Sequence, residues 1–283
     1  MRKLAIGVGV TGALALGVLV APAASAASPA LTFSGVTVNK GKAIVVGTTA
    51  KVKVPVTYTV TRPSDLTIDY KTNFAGVLLY RGTLKDQDNS LEPSAAPTCA
   101  TTATTDTTVT QSCTQTLVVD PWDNLYEAAD AGTWKAAGFY TRIDQDDDDS
   151  DGHISFELGY DLWANSATAK VQRAAHLTVN ATPEPAVAGK TLTVKGSLTR
   201  ANWDIGKYSG YKGQKVTLQF RAKGTSSYKN VKGITSAAGG ALSTTTKATK
   251  SGYYRFVFAG TSTTAAKTTA GDYVQVDPPA YTG

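Results

Sequence analysis

The sequence predicts an all-β protein built as two tandem antiparallel β-sandwiches, and three observations carry that expectation. The 283 residues are rich in Thr, Val, Tyr and Gly, contain one Met, and hold few long helix-forming runs. Short segments alternate apolar and polar with period two. The clearest is Lys51–Thr61, where Val52, Val54, Val56, Tyr58 and Val60 share one face while Lys51, Lys53, Thr57, Thr59 and Thr61 share the other. Turn signals such as Gly41, Pro63-Ser64-Asp65, Asp130-Ala131-Gly132 and Gly239-Gly240 punctuate the segments.

Residues 1–26 read as a cleaved signal peptide. Arg2 and Lys3 form the positive start, Leu4 to Val20 is apolar and rich in Gly and Ala, and Ala24-Ser25-Ala26 supplies the small-residue cleavage signal. The mature chain is then expected to begin at Ala27, secreted to the extracellular side. A transmembrane reading is weaker, because of the A-x-A site and the Ala/Pro content. No later stretch is apolar for long enough to span a bilayer, so no membrane span is expected.

The first domain is expected over 27–175. Beyond Lys51–Thr61, its strand candidates are Gly35–Asn39, Gly76–Arg81, Thr108–Val119, Lys135–Ile143 and His153–Tyr160. Pro55 lacks an N–H and predicts an edge strand or a bulge. Trp134 and Trp163 read as core or rim anchors. Cys99 and Cys113 are the only cysteines, and an even pair in an exported chain predicts one structural disulfide. No C-x-x-C and no nearby cation favours a redox role.

The second domain is expected over 176–283, with a first strand from Leu177 that ends at the double proline Pro183 and Pro185. Thr191–Leu198 alternates Leu192, Val194 and Leu198 inward, and Lys215–Arg221 places Val216, Leu218 and Phe220 inward with Lys215, Thr217, Gln219 and Arg221 outward. Tyr228–Val231, Ala241–Thr246, Gly252–Ala259 and Tyr273–Val276 follow, with Tyr254, Phe256 and Phe258 sharing a face. Seven strands in about a hundred residues predict an immunoglobulin-like sandwich, with Tyr253 or Tyr254 as its corner tyrosine. The fresh strand set after His176, the Pro183–Pro185 turn and the lack of cysteine in the second half lead to the expectation that the two sandwiches melt independently, with the three-residue linker Ala174-Ala175-His176 the one feature that could hold them in a fixed pose.

Charge divides the same way. Ala27 to Ala175 holds 12 Lys and Arg against 18 Asp and Glu, a balance of −6, whereas His176 to Gly283 holds 14 against 4, a balance of +10. A basic half outside the cell suits anionic cell-wall polymers, or another secreted protein, as partner. Its lysines are scattered along strands without clustered stacking aromatics, so no nucleic-acid partner is expected.

The segments Thr191–Trp203 (TLTVKGSLTRANW), Val216–Gly224 (VTLQFRAKG) and Gly252–Thr264 (GYYRFVFAGTSTT) resemble secreted two-domain Ig-like proteins of streptomycete-type actinobacteria. The similarity runs back through Val45–Thr49, Leu78–Thr83 and Ala129–Ala136. The resemblance implies export and an Ig-like second domain. It adds little on mechanism, since those proteins are mostly uncharacterised, some labelled calcium-binding.

One run concentrates chemistry. Asp144–Glu157 contains Asp147, Asp149, Asp151 and Gly152 in the D-x-D-x-D-G spacing of a calcium loop, with His153 at the position that offers a backbone carbonyl and Glu157 downstream. Position 12, where a helix–loop–helix site places a bidentate Glu, is Leu158, and both flanks read as strands. The run is therefore a calcium loop at a strand turn, with Asp147, Asp149, Asp151, His153 and Glu157 as candidate ligands, or a solvated acidic hairpin. Calcium is the only cofactor suggested.

No catalytic site is expected. His153 and His176 are the only histidines, no G-x-S-x-G turn, H-E-x-x-H motif, P-loop or dinucleotide fingerprint occurs, and Asp120, Asp123, Asp161 and Glu157 read as surface or turn residues. The sequence thus reads as a secreted non-enzymatic binding or adhesion protein with a candidate calcium site. The alternative is a metal-free cell-wall-associated structural or carbohydrate-binding module using Trp203, Tyr208, Tyr211 and Tyr228.

Overall fold

A computed structural model describes residues 28–142 and 160–279. The signal-peptide segment, the acidic run Asp144–Glu157 with its five candidate ligands, and the strand expected from His153 lie outside the described residues, save Tyr160 at that strand's end. The described chain is strands joined by turns and short 3₁₀ segments, with no α-helix.

The first nine strands are β1 (Thr32–Val38), β2 (Ile44–Val46), β3 (Val52–Pro63), β4 (Asn73–Gly82), β5 (Gln87–Leu91), β6 (Thr98–Thr104), β7 (Thr108–Val119), β8 (Gly132–Arg142) and β9 (Tyr160–Arg173). They form two sheets ordered β1-β3-β7-β6 and β2-β9-β8-β4-β5. Lettered in chain order as A, A′, B, C, C′, D, E, F and G, these are A-B-E-D facing A′-G-F-C-C′, the strand order of an immunoglobulin sandwich. The second strand runs parallel to the ninth, with Ile44 opposite Val171. The Ig-like order expected only of the second half is therefore present in both.

Local chemistry explains the placement. Val54, Val56, Tyr58 and Val60 of β3 are buried as the alternation predicts, over Leu117 and Val119 of β7. Pro55 sits opposite Thr116 of β7, but β1 stops pairing with β3 at Val38–Val56. An internal strand thus accepts a proline where one neighbour has ended. Strand β4 is buried on both faces. Ala75, Val77 and Leu79 join the main core, while Leu78 and Tyr80 form a separate cluster with Ala137 and Phe139. Cys99 and Cys113 face each other across the β6–β7 hairpin and form the expected disulfide.

The remaining strands are β10 (Ala175–Leu177), β11 (Asn180–Thr182), β12 (Ala186–Val187), β13 (Thr191–Asn202), β14 (Lys207–Gly210), β15 (Lys215–Ala222), β16 (Lys229–Thr235), β17 (Ala241–Lys247), β18 (Gly252–Phe258), β19 (Lys267–Thr268), β20 (Asp272–Val274) and β21 (Val276–Asp277). The long β13 pairs through its first half with β11 and β17, and through its second half with β10 and β14. Opposite it, β16-β15-β18 continue into β19 and β20 along the far side of β18. This is A-B-E facing C′-C-F-G, closed by a parallel pair in which Ala186 of β12 lies opposite Val276 of β21. Leu192, Val194, Leu198, Val216, Leu218, Tyr254, Phe256 and Phe258 fill the core. Tyr254 is the inward tyrosine and Tyr253 faces out.

The two sandwiches meet along a bonded seam. The backbone of Arg173, closing β9, donates to the Thr263 carbonyl at 3.0 Å and accepts from Ala265 N–H at 3.0 Å, both in the loop after β18. Gln172 Nε2 donates to the Thr261 carbonyl at 2.7 Å. Trp203, in the turn after β13, is buried within the core cluster of the first sandwich.

Candidate functional site

The exposed side of the β16-β15-β18-β20 sheet carries a continuous set of cations and aromatic rings. Alternation creates it: Val216, Leu218, Tyr254 and Phe256 point inward, which sends Gln219, Arg221, Tyr253 and Arg255 outward. Register then brings them together, with Gln219 opposite Arg255, Arg221 opposite Tyr253, and Tyr253 opposite Tyr273.

The guanidinium of Arg255 lies 3.6 Å from the ring centre of Tyr228. That of Arg221 lies 4.1 Å from Tyr253 and 5.3 Å from Tyr228. Tyr253 packs on Tyr273 with ring centres 5.1 Å apart, and the Lys223 ammonium approaches Tyr273 at 5.9 Å. Hydrogen bonds fix the same groups. Arg255 Nε donates to Gln219 Oε1 at 2.8 Å, Gln219 Nε2 donates to Asn230 Oδ1 at 2.8 Å, and Arg221 donates to the Thr225 carbonyl at 2.6 Å.

Among the described residues, neither guanidinium has a carboxylate within ion-pair distance. This departs from Arg81, whose charge is met by Asp88, Glu127 and Asp130. Flat tyrosine faces and an amide hold Arg221 and Arg255 in place while leaving their positive charge uncompensated. Such guanidiniums have little rotamer freedom to lose on meeting an anion, and their planar forks match carboxylate or phosphate. Lys215 of β15 adds exposed charge on the same face, whereas Lys229 and Lys232 of β16 lie opposite Phe220 and Leu218, on the other face of this edge strand.

The other sequence-predicted residues take separate places. Trp203 is buried, so it offers no sugar platform. Tyr208 stacks on His176, ring centres 3.7 Å apart, and Tyr211 lies under the Arg200 guanidinium at 4.0 Å. Only Tyr228 of the four expected aromatics belongs to the cationic face. Trp134 is fully buried and donates to the Asp130 carbonyl at 2.8 Å, while Trp163 packs at the core margin beside Phe33. Asp120 accepts from Lys51 at 2.8 Å and from Trp122 N–H at 2.9 Å, which lowers its carboxyl below the usual range, the Lys51 hydrogen bond first. Asp161 accepts from the Ser28 hydroxyl.

Among the described residues, no group of three or more His, Cys, Asp and Glu is placed to hold a metal ion, and no helix is long and apolar enough to cross a membrane. The outward strand positions of Gln219 and Arg221 are legible in the sequence. The neighbours that make them a site are not, since Arg255, Tyr253 and Tyr273 come from distant segments joined by register.

Comparison with family models and with curated proteins finds no match. Among solved structures, the full three-Ig ectodomain of mouse nectin-like molecule 4 is 15% identical, with a TM-score of 0.23. That similarity covers 85% of this chain, which spans only 64% of the ectodomain. The D00-D0 domain of intimin is 11% identical across 84% of this chain and 98% of its own, with a TM-score of 0.25. Superpositions this loose carry no argument about fold or function, and the assignment to two Ig-like sandwiches rests on strand order and register.

Proposed function

We propose that the protein is an exported, non-enzymatic binding protein whose C-terminal sandwich, dividing from the first near Ala175, holds anionic polymers of the cell wall. The observation that supports this reading is the pair Arg221 and Arg255, immobilised on Tyr228 and Tyr253 with no carboxylate partner among the described residues. The +10 balance of His176 to Gly283 adds a long-range attraction for a polyanion. Phosphodiester groups suit the two forks, and the polyol or sugar between them would lie against the tyrosine rings.

Sedimentation of the mature chain with purified wall, intact or stripped of its teichoic acid, tests the reading. Binding to intact wall should fall about tenfold in the Arg221→Gln, Arg255→Gln double variant and fade as salt rises from about 0.05 to about 0.5 M. Equal binding by wild type and double variant removes the proposal.

A further inference from the structure

Among the described residues, three of the few large apolar side chains left open to solvent are Trp122 at 58% exposure and Tyr126 at 63%, four residues apart in one loop with the Tyr126 hydroxyl donating to the Asp123 carbonyl, and Ile205 at 55%, next in sequence to Gly206. Trp122 and Tyr126 belong to the loop between β7 and β8. The Trp122 ring lies over Gly206, which follows Ile205, so closely that any side chain at Gly206 would collide with it. Gly206 also has φ +61°, a left-handed conformation suited to glycine. The second sandwich thus supplies a bare backbone floor for an indole belonging to the first.

The loop is built to stay in place. Asp120 and Asn124 close its start, with Asp120 N–H donating to Asn124 Oδ1 at 2.8 Å, Asn124 N–H to the Asp120 carbonyl at 2.9 Å, and Trp122 N–H to Asp120 Oδ1 at 2.9 Å. The fully buried Asp130 closes its end. One of its oxygens accepts from the N–H groups of Tyr126 at 2.8 Å and Glu127 at 3.0 Å, the other from Arg81 at 3.2 Å and Asn89 at 3.1 Å. A loop this tightly tied that still displays an indole and a phenol has its ordering cost met before any ligand arrives.

We propose that the Trp122–Tyr126 loop is a second binding site, independent of the arginine face, that takes an uncharged sugar ring of a glycan chain. Two aromatic side chains of 150–250 Å² each, about six-tenths open, offer roughly 250 Å² against the roughly 800 Å² per partner of a stable protein interface. The patch is therefore the size of one or two sugar rings. The C–H face of a pyranose lies on the negative face of an indole or phenol, while exposed Asp123 and Asp204 can accept from its hydroxyls. Lys51 and Arg81 meet the charges of Asp120 and Glu127, so Asp123 and Asp204 are the carboxylates left to accept from sugar hydroxyls, and a cationic probe tests whether they act as charges instead.

The test is tryptophan fluorescence of the mature chain titrated to millimolar concentration with two probes, a tetramer of N-acetylglucosamine and a glucose tetramer. Trp134 and Trp203 are buried and Trp163 is half-buried against the core beside Phe33, so Trp122 dominates any ligand-induced shift. A saturable blue shift with at least one probe is expected, absent in Trp122→Ala, weakened at least fivefold in affinity in Tyr126→Ala, and unchanged in the Arg221→Gln, Arg255→Gln variant. Unaltered melting temperatures of the two loop variants separate lost binding from lost folding. Three results overturn the proposal: no saturable response to either sugar, an equal response in Trp122→Ala and Tyr126→Ala measured by calorimetry, or a response to oligolysine alone.

Discussion

The indole N–H of Trp203 donates to the carbonyl of Gly47 at 2.9 Å, with the ring inside the core of the sandwich to which Trp203 does not belong in sequence. The Arg173 guanidinium covers the ring at 5.0 Å. Calorimetry should therefore find the two sandwiches coupled, where the charge change and the separate strand sets of the sequence suggest independent melting. Trp203→Ala should cost about 3–5 kcal/mol. Trp203→Phe, which keeps much of the burial but orphans the Gly47 carbonyl, should cost about 1–2 kcal/mol. Two transitions that stay put in both variants would show that the seam contributes nothing.

Reduction of Cys99–Cys113 should lower stability by up to about 3 kcal/mol without unfolding the protein, since the bridge staples neighbouring strands that already form a hairpin. Because of the seam, the reductant should shift the melting of both sandwiches. Urea unfolding of the oxidised and reduced chain checks this, and identical midpoints would contradict it.

Gly138 of β8 sits beneath the ring of Phe33, so closely that a Cβ would collide with it. Phe33 in turn contacts Tyr58 and Trp163, with ring centres 6.0 and 5.8 Å away. Gly138→Ala should destabilise the first sandwich by about 1–3 kcal/mol through overpacking. Pairing it with Phe33→Leu should recover part of the loss in the same urea assay.

Stability should fall at both extremes of pH. Asp69 accepts from the N–H groups of Thr72 at 2.9 Å and Lys71 at 2.8 Å, which brings its carboxyl down to about 2, and Asp120 is lowered chiefly by Lys51. Both carboxylates stabilise the fold above their ordinary values near 4, and that contribution disappears as pH drops through the lower folded values. Lys51 is raised above its ordinary 10.5, chiefly by its hydrogen bond to Asp120, so its contribution is complete below that value and is lost as pH climbs past the folded one. Melting temperature should be level from about pH 5 to about pH 10 with respect to these groups. Asp69→Asn should flatten part of the acid limb, and an unchanged acid limb would count against this assignment.

Calcium remains a proposal from sequence. Titration calorimetry of the mature chain should show heat at millimolar calcium, together with a higher melting temperature, and both should vanish in Asp149→Asn, Asp151→Asn. Heat no different from buffer would leave the run a solvated hairpin.

Alternating patterns made much of the fold readable. The inward valines of β3 and the aromatic face of β18 lie where period two puts them, and both cysteines pair. Strand β9 escaped, because its Trp163-Ala164-Asn165-Ser166-Ala167 stretch alternates poorly and its pairing with β8 is broken by a bulge between Lys135 and Ala137. The Ig order of the first sandwich escaped because it is a property of register between distant segments. Trp203 looked like a surface aromatic for a different reason: its burial is supplied by the other sandwich, which no local pattern records. The Trp122 loop was passed over because a single exposed Trp in a sequence looks like any core anchor until its burial is known.

Strand β16 borders its sheet, paired on one side with β15 and otherwise almost wholly exposed, with Lys229 and Lys232 along it. An open border of N–H and C=O groups invites another strand to add on. Two copies approaching border to border would bring four ammonium groups together, whereas a chain of phosphates reaching the same place would be drawn in. The lysines thus discourage the protein from polymerising on itself, and under the polyanion reading proposed above the same sign that repels a second copy would attract the ligand.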